Sequence, residues 1–420
     1  MIYLDHAAAT PTDPRVLEAM TPYFTEEFFN PSAAYLPAKK VAADYEAAKA
    51  AIAHAIGAKS HDLVMTAGAT EANNLALSAV NTTRSGDRNA SFEGPKTWAS
   101  APWDADELRS NAPERPEKEA FGQDPTVRVL YFSTEHDSVR RVAEALGGKP
   151  VKVLRSGLID MTDLRAKITD DTMLISIALV NGEIGVIQPL AEVASLIREI
   201  RFDRLRRGVK APLLLHSDAS QALSLLDINV ARLGVDLMTL NSAKVCGPKG
   251  VGALYVSHEA RLEPQILGGG QENGLRSGTE NVPGAIGFAK AVELAKSHLV
   301  SNRKKYAEMR EYLIANLEAC TPIIKKHQLD NFLNICYDGL DGERLVYLLE
   351  EKEIYVATGA ACAASKGEKS HVLRALGLSD SEIAGSLRLT LGATNTKEQI
   401  IAATKIINDV VTKERRRLYD

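Results

Sequence analysis

Cysteine is scarce in this sequence: four residues in 420, at Cys246, Cys320, Cys336 and Cys362, with no Cys-x-x-Cys pair. That number and scatter exclude a disulfide framework, and the missing pair argues against structural zinc. No run approaches the ~18 consecutive apolar residues of a membrane helix, so no membrane association is expected. The stretch Met1–Arg15 lacks a basic segment followed by an apolar core, so a secretory signal is not expected. Positive charge is not in excess either. The formal net charge is −4, whereas phosphate backbones select for basic patches, so nucleic acid is not an expected partner. Internal repeats and low-complexity tracts are absent. These absences point to a cytoplasmic protein with reduced thiols.

What is present is a globular composition, 45% hydrophobic and 25% charged, in a chain long enough for two or three domains of about 100–200 residues each. Short β-rich runs are expected at Leu63–Thr66, Arg128–Phe132, Val151–Leu154, Met173–Val180, Pro212–His216, Asp236–Leu240 and Val251–Val256. Helical patterns at Thr70–Val80, Ser138–Leu146 and Leu190–Ile200 lie between them. This alternation predicts an α/β fold with a mostly parallel, mixed sheet between helices. One long helix is expected over Pro283–Leu317. A smaller C-terminal α+β unit follows, with strands near Phe332–Cys336, Ile354–Ala357 and Ser386–Leu391. One segment, Arg84–Pro125, has five prolines, many charges and both tryptophans. It shows no apolar periodicity and reads as an insertion in the large domain or a functional loop, with its two tryptophans keeping a docking role open.

Asp218 ends the apolar run Pro212–Leu215, at the carboxyl end of a core strand, where open α/β sheets place their ligands. Lys244 follows a second apolar run and precedes the breaker cluster Gly247–Gly250. A desolvated lysine can bond to a carbonyl carbon, and a nearby aspartate suits a ring nitrogen that must stay protonated. Pyridoxal phosphate needs both, although solvated Lys and Asp at strand ends are the commoner case.

Several separated motifs then occur in order: Tyr3–Ala8 (YLDHAA), Gly68–Asn74 (GATEANN), Thr134-Glu135-His136, Asn181–Gly185 (NGEIG), Asp218 with Gln221, Lys244, Arg276–Thr279 (RSGT), Gly359–Cys362 (GAAC) and Leu387-Arg388. Together they resemble the cysteine desulfurases, class V aminotransferases of the fold-type-I pyridoxal phosphate enzymes. The resemblance covers nearly the whole chain apart from 84–125 and a shorter stretch near 202–211. It implies a large cofactor-binding domain over 15–262. A small domain over 1–14 and 263–420 would carry the catalytic cysteine.

The resemblance also implies residue roles. Lys244 would hold the cofactor and move the substrate's α-proton. Asp218 would face the ring nitrogen, Gln221 and Asn181 the phenolic oxygen, and His136 the ring face. Ala69, Thr70 and Asn241 would line the phosphate cup at a helix N-terminus. Thr279 would reach the phosphate of the neighbouring subunit, which implies a homodimer. Arg388, with Asn181, would hold the carboxylate of L-cysteine, a bidentate task that suits arginine. Cys362, set among small residues, would accept the sulfur as a persulfide and pass it to an iron–sulfur scaffold or a tRNA-thiolation protein. A selenocysteine lyase or a partner-binding pseudo-enzyme of the same fold remains as an alternative.

The sequence departs from the family at Asn241-Ser242-Ala243-Lys244, which lacks the histidine usual before the lysine. It departs also at Cys246, where tyrosine is usual, at Asn181-Gly182-Glu183 in place of Asn-Asn-Glu, at Asn30–Tyr35, and at Asn273 in place of arginine. Cys246 is expected to pack rather than react, as are Cys320 and Cys336 beside apolar runs.

Overall fold

The computed structural model describes residues 1–80, 128–359 and 369–419. The segment 84–125 and Cys362 lie outside the described residues. Thirteen strands are described, in chain order: β1 (Ile2–Tyr3), β2 (Leu63–Thr66), β3 (Val129–Phe132), β4 (Lys149–Val151), β5 (Leu174–Ser176), β6 (Leu214–Asp218), β7 (Leu237–Asn241), β8 (Gly252–Val256), β9 (Thr321–Pro322), β10 (Phe332–Cys336), β11 (Ile354–Tyr355), β12 (Ala357–Thr358) and β13 (Ser386–Thr390).

Seven of them form one sheet in the order β2-β8-β7-β6-β5-β3-β4. Only β8 runs against its neighbours; the other pairings are parallel. The fold is therefore the expected mostly parallel, mixed sheet. Strands β3 and β6 inside the sheet, and β2 at its edge, are buried along their length, because helices cover both faces. Since β8 opposes both β2 and β7, the carboxyl ends of β2, β3, β5, β6 and β7 all open at one edge. The motif residues from Thr70 to Lys244 lie at or past those ends.

A second sheet, β12-β13-β10-β9, is antiparallel. The N-terminal strand β1 pairs with β11, and Asp5 bridges Thr390 at the end of β13. Strands β1 and β11 form a separate two-stranded sheet, and the Asp5–Thr390 bridge ties the first residues of the chain to β13 rather than to the large sheet.

The long helix expected over Pro283–Leu317 is two helices, Val282–Ser297 and Leu299–Asn316. They meet at His298, which has φ −107° and ψ 7°. There the Ser297 Oγ donates to the Leu294 carbonyl at 2.9 Å and the His298 Nδ1 lies 2.8 Å from it. Side chains that compete for a helix carbonyl in this way bend or end the ladder. The run Met173–Val180 narrows to β5, and Val151–Leu154 moves back to β4. A 20-residue helix, Leu36–Ala55, packs against the helix Val282–Ser297.

Candidate active site

The helix Ala69–Leu77 follows β2 directly. Its N-cap is Gly68, at φ 142°, with no side-chain cap bond. Thr70 alone would read as a cap, but it is the second helical residue and is exposed. A Cβ on Gly68 would meet nothing within 4 Å. The space beside the start of the helix is therefore open at Gly68, and a helix N-terminus is where an anion can be held. Gly252 of β8 packs so closely on Gly68 that a Cβ there would lie 2.8 Å from its Cα. Gly252 pairs with Asn241, so Asn241 sits beside the same helix start. Its Oδ1 accepts from the Ala243 amide at 3.1 Å and shapes the turn that carries Lys244.

Asp218 is buried at the last position of β6. Asn73, one turn into the helix Ala69–Leu77, donates to Asp218 Oδ2 at 2.8 Å and to Ser138 Oγ at 2.8 Å. Ser138 Oγ lies 2.9 Å from His136 Nδ1, which also accepts from the Ser138 amide at 3.1 Å. With Nδ1 accepting, the His136 ring proton belongs on Nε2. His136 caps the helix Asp137–Ala145 and is exposed. The Asn181 amide donates to the Thr134 carbonyl at 2.7 Å, while its Oδ1 accepts from the amides of Glu183 and Ile184. Gln221 and Lys244 share one acceptor, the Ala7 carbonyl, at 3.0 and 2.7 Å; Lys244 Nζ also donates to Ala8 at 2.6 Å.

Arg388, on β13, is 6% exposed. Its Nη1 donates to the Gly182 carbonyl at 3.0 Å and its Nη2 to Asp5 Oδ1 at 2.6 Å. Its Nε is buried with no partner. Thr279 is exposed on a loop tied to the helix start by the Arg276–Glu71 ion pair at 3.0 Å. The structure thus brings His136, Asn181, Asp218, Gln221, Lys244, Arg388 and the Ala69–Thr70 helix start to one edge, through shared partners. It leaves Thr279 at the rim.

Four buried groups here are given no role in the sequence reading. Glu135 has no solvent exposure; burial first, and Asp218 second, push its carboxyl up to about 8. Glu183 is pushed up to about 8 by burial, opposed by Ser370 and Arg388. His216 stands between Ser176 and Thr239 at 2.8 and 3.1 Å, and burial pulls it down to about 4. Asn73 was visible only as part of the GATEANN motif. Burial thus favours the protonated form of both glutamates and the neutral form of His216.

Cys246 has φ 61°. Burial raises its thiol, which disfavours the reactive thiolate. Cys336 is pushed up to about 11, chiefly by burial. Both therefore behave as packing residues. Behind Lys244 a cavity of about 160 Å³ is lined by Lys244, Gln221, Cys246, His6 and Tyr306 among others.

A model of the aminotransferase class-V family matches residues 2–111 and 119–402. The chain belongs to that family. Class V aminotransferases use pyridoxal phosphate. Similar proteins include "Cysteine desulfurase IscS 1" of Archaeoglobus fulgidus, 34% identical over 99% of this chain and 98% of that one. "Cysteine desulfurase IscS" of Methanosarcina thermophila is 33% identical over 99% and 93%. Among solved structures, a "NifS-like protein" superposes with a TM-score of 0.80 at 27% identity, covering 98% of this chain and 99% of that one. "SspA in complex with cysteine" gives 0.72 at 29%, covering 93% and 99%.

The site suits the family's cofactor on this chain's own atoms. The helix start offers free amides for a phosphate, and Asp218 offers a buried carboxylate. Ser242 Oγ, Ser220 Oγ and Thr134 Oγ1 are buried hydroxyls with no partner. Buried hydroxyls are rarely left so without a reason.

Proposed function

We propose that this protein is a pyridoxal phosphate-dependent cysteine desulfurase. It would convert L-cysteine to L-alanine and pass the sulfur to a persulfide on Cys362. The observation that carries the reading is Arg388: a buried guanidinium with a free Nε, facing the same edge as Lys244 and Asp218. An amino-acid carboxylate satisfies that donor.

When bound, pyridoxal phosphate supplies an electron sink for the bonds at the substrate's α-carbon. The residues of the chain do the rest. The helix start at Ala69–Thr70, with Asn241 and the buried Ser242 hydroxyl, binds the phosphate. Asp218 holds a proton at the ring nitrogen, and Asn73 keeps its carboxylate in place. His136 lies on the ring face. Gln221 and Asn181 orient the phenolic oxygen. Lys244 takes the α-proton and later returns one. Arg388 fixes the carboxylate, so that the α-proton points at Lys244 and the sulfur points away. The Cys362 thiolate then attacks the substrate sulfur. The sulfur–sulfur bond forms as the carbon–sulfur bond breaks, and its electron pair goes to the carbon that ends as the methyl of alanine. The persulfide passes to a sulfur-acceptor protein, an iron–sulfur scaffold or a tRNA-thiolation protein, in the cytoplasm.

The test is Cys362→Ala with L-cysteine. It should perturb the cofactor spectrum as wild type does yet release almost no alanine, while wild type after one turnover carries a persulfide on the peptide containing Cys362. Full alanine release by the variant would refute the persulfide route. Variant activity on selenocysteine alone fits it, because selenolate departs without a thiol to receive it. Wild-type protein with a stable cofactor spectrum and no alanine would make it a pseudo-enzyme.

A further inference from the structure

The motif Tyr3–Ala8 gives the desulfurase reading no residue of its own, yet it touches both ends of the site. After β1 the chain is pinned to β13: the His6 amide donates to the Thr390 carbonyl at 3.4 Å and the Ala7 amide to Thr390 Oγ1 at 2.9 Å. Thr390 lies two residues beyond Arg388 on the same strand face. Asp5, just before the pinned amides, sets Oδ1 2.6 Å from Arg388 Nη2, with side-chain exposures of 16% and 7%. Two residues on, the Ala7 carbonyl takes both Lys244 and Gln221. This short segment, whose Asp5 is 383 residues from Arg388 in sequence, therefore links that arginine to the lysine.

We propose that Asp5 is a positioning residue for substrate recognition, fixing the Arg388 guanidinium so that its Nε edge faces the incoming carboxylate. Three observations carry this. The Gly182 carbonyl and Asp5 hold Nη1 and Nη2 from different elements, which fixes the plane of the fork. Nε, the remaining nitrogen, is buried and has no partner. Asp5 engages through a single oxygen, so a second carboxylate can share the guanidinium, which has five donors. An arginine held by Gly182 alone would swing about that bond and lose the geometry that makes bidentate capture strong. What Asp5 supplies is an acceptor in a fixed place. Its charge works against the substrate's, so asparagine should replace it better than alanine.

The inference rests on Arg388 as the carboxylate site, and a binding measurement separates it from the sulfur chemistry. Holoenzyme is titrated with L-alanine and with ethylamine, which is alanine without its carboxylate, and the cofactor absorbance is followed. Asp5→Ala should weaken L-alanine about tenfold and leave ethylamine within about twofold. Asp5→Asn should recover most of the loss. In an Arg388→Ala background, Asp5→Ala should cost nothing further. In turnover with L-cysteine, Asp5→Ala should raise KM and leave kcat nearly unchanged. Equal losses for both amines, additive losses with Arg388→Ala, or a wild-type titration for Asp5→Ala would each overturn the proposal. Should Asp5→Ala fail to fold, Asp5→Asn and Asp5→Glu decide it. Asn must bind L-alanine better than Glu, whose longer arm displaces the guanidinium; the reverse order overturns the proposal. Wild type that binds L-alanine but makes none from L-cysteine would end the desulfurase reading and leave this one to the titration.

Discussion

Glu183 shows how much of the site is set one residue at a time. It is 8% exposed. Ser370 Oγ donates to its Oε1 at 2.5 Å, and a Cβ on Gly359 would lie 2.4 Å from the same oxygen. Gly359 and Ser370 close in from either side of the segment that contains Cys362, so one buried carboxyl ties both to the Asn181 turn. Burial raises it from 4.5 to about 8. In the unfolded chain the group loses its proton near the ordinary value, while the folded chain keeps it until about pH 8. Its contribution to stability is therefore full at low pH and is lost as pH rises through that window. Glu183→Gln cannot titrate. Its urea midpoint relative to wild type should climb between pH 5 and pH 8.5, by the equivalent of a few kcal/mol. A gap that stays constant would mean the carboxyl is ionised in the fold. None of this was legible in the sequence. Glu183 looked like any motif glutamate, and the Asp5–Arg388 pair joins residues too far apart for any local pattern.

At the scale of elements, the NGEIG turn is where the two sheets meet. Gly185 has φ 67°, and a Cβ there would lie 2.3 Å from Cγ of Phe332, a fully buried residue of β10. Gly185→Ala thus meets two penalties, left-handed strain and overpacking of an immovable ring, together about 2–5 kcal/mol. The expected result is a lower urea midpoint that Phe332→Leu partly restores, so that the two changes are not additive. Simple additivity would show that the turn relaxes away from β10. The same element scale explains what the sequence disclosed and what it hid. β2 was read residue for residue, because all four positions are buried and Gly68 marks its exit. β4 was misplaced, starting two residues earlier and ending three residues earlier than expected. It is an edge strand paired only with β3, and Lys149 and Pro150 are exposed, so no apolar run announces it. The break at His298 was hidden because helical periodicity resumes on the far side of it.

For the whole molecule, the question is whether one chain contains a whole site. Among the described residues the proposed phosphate site is formed by the helix Ala69–Leu77 and the turn after β7, and Thr279 is exposed. In a twofold dimer, a loop at the rim of one site is placed to reach into the other subunit's site. Mixed dimers test this directly. Thr279→Asp sets a carboxylate where a phosphate is expected and should silence the site it serves. Lys244→Ala silences the site it belongs to. If Thr279 acts across the interface, a dimer with one variant chain of each kind has one fully wild-type site, made of Lys244 from one chain and Thr279 from the other. Equal mixing and reassociation should then restore about a quarter of wild-type alanine formation, because about half the dimers are mixed and each has one sound site. If Thr279 acts within its own chain, both sites of the mixed dimer are defective and no activity returns. The second outcome, in a preparation that sedimentation shows to be mixed dimer, would remove the shared site.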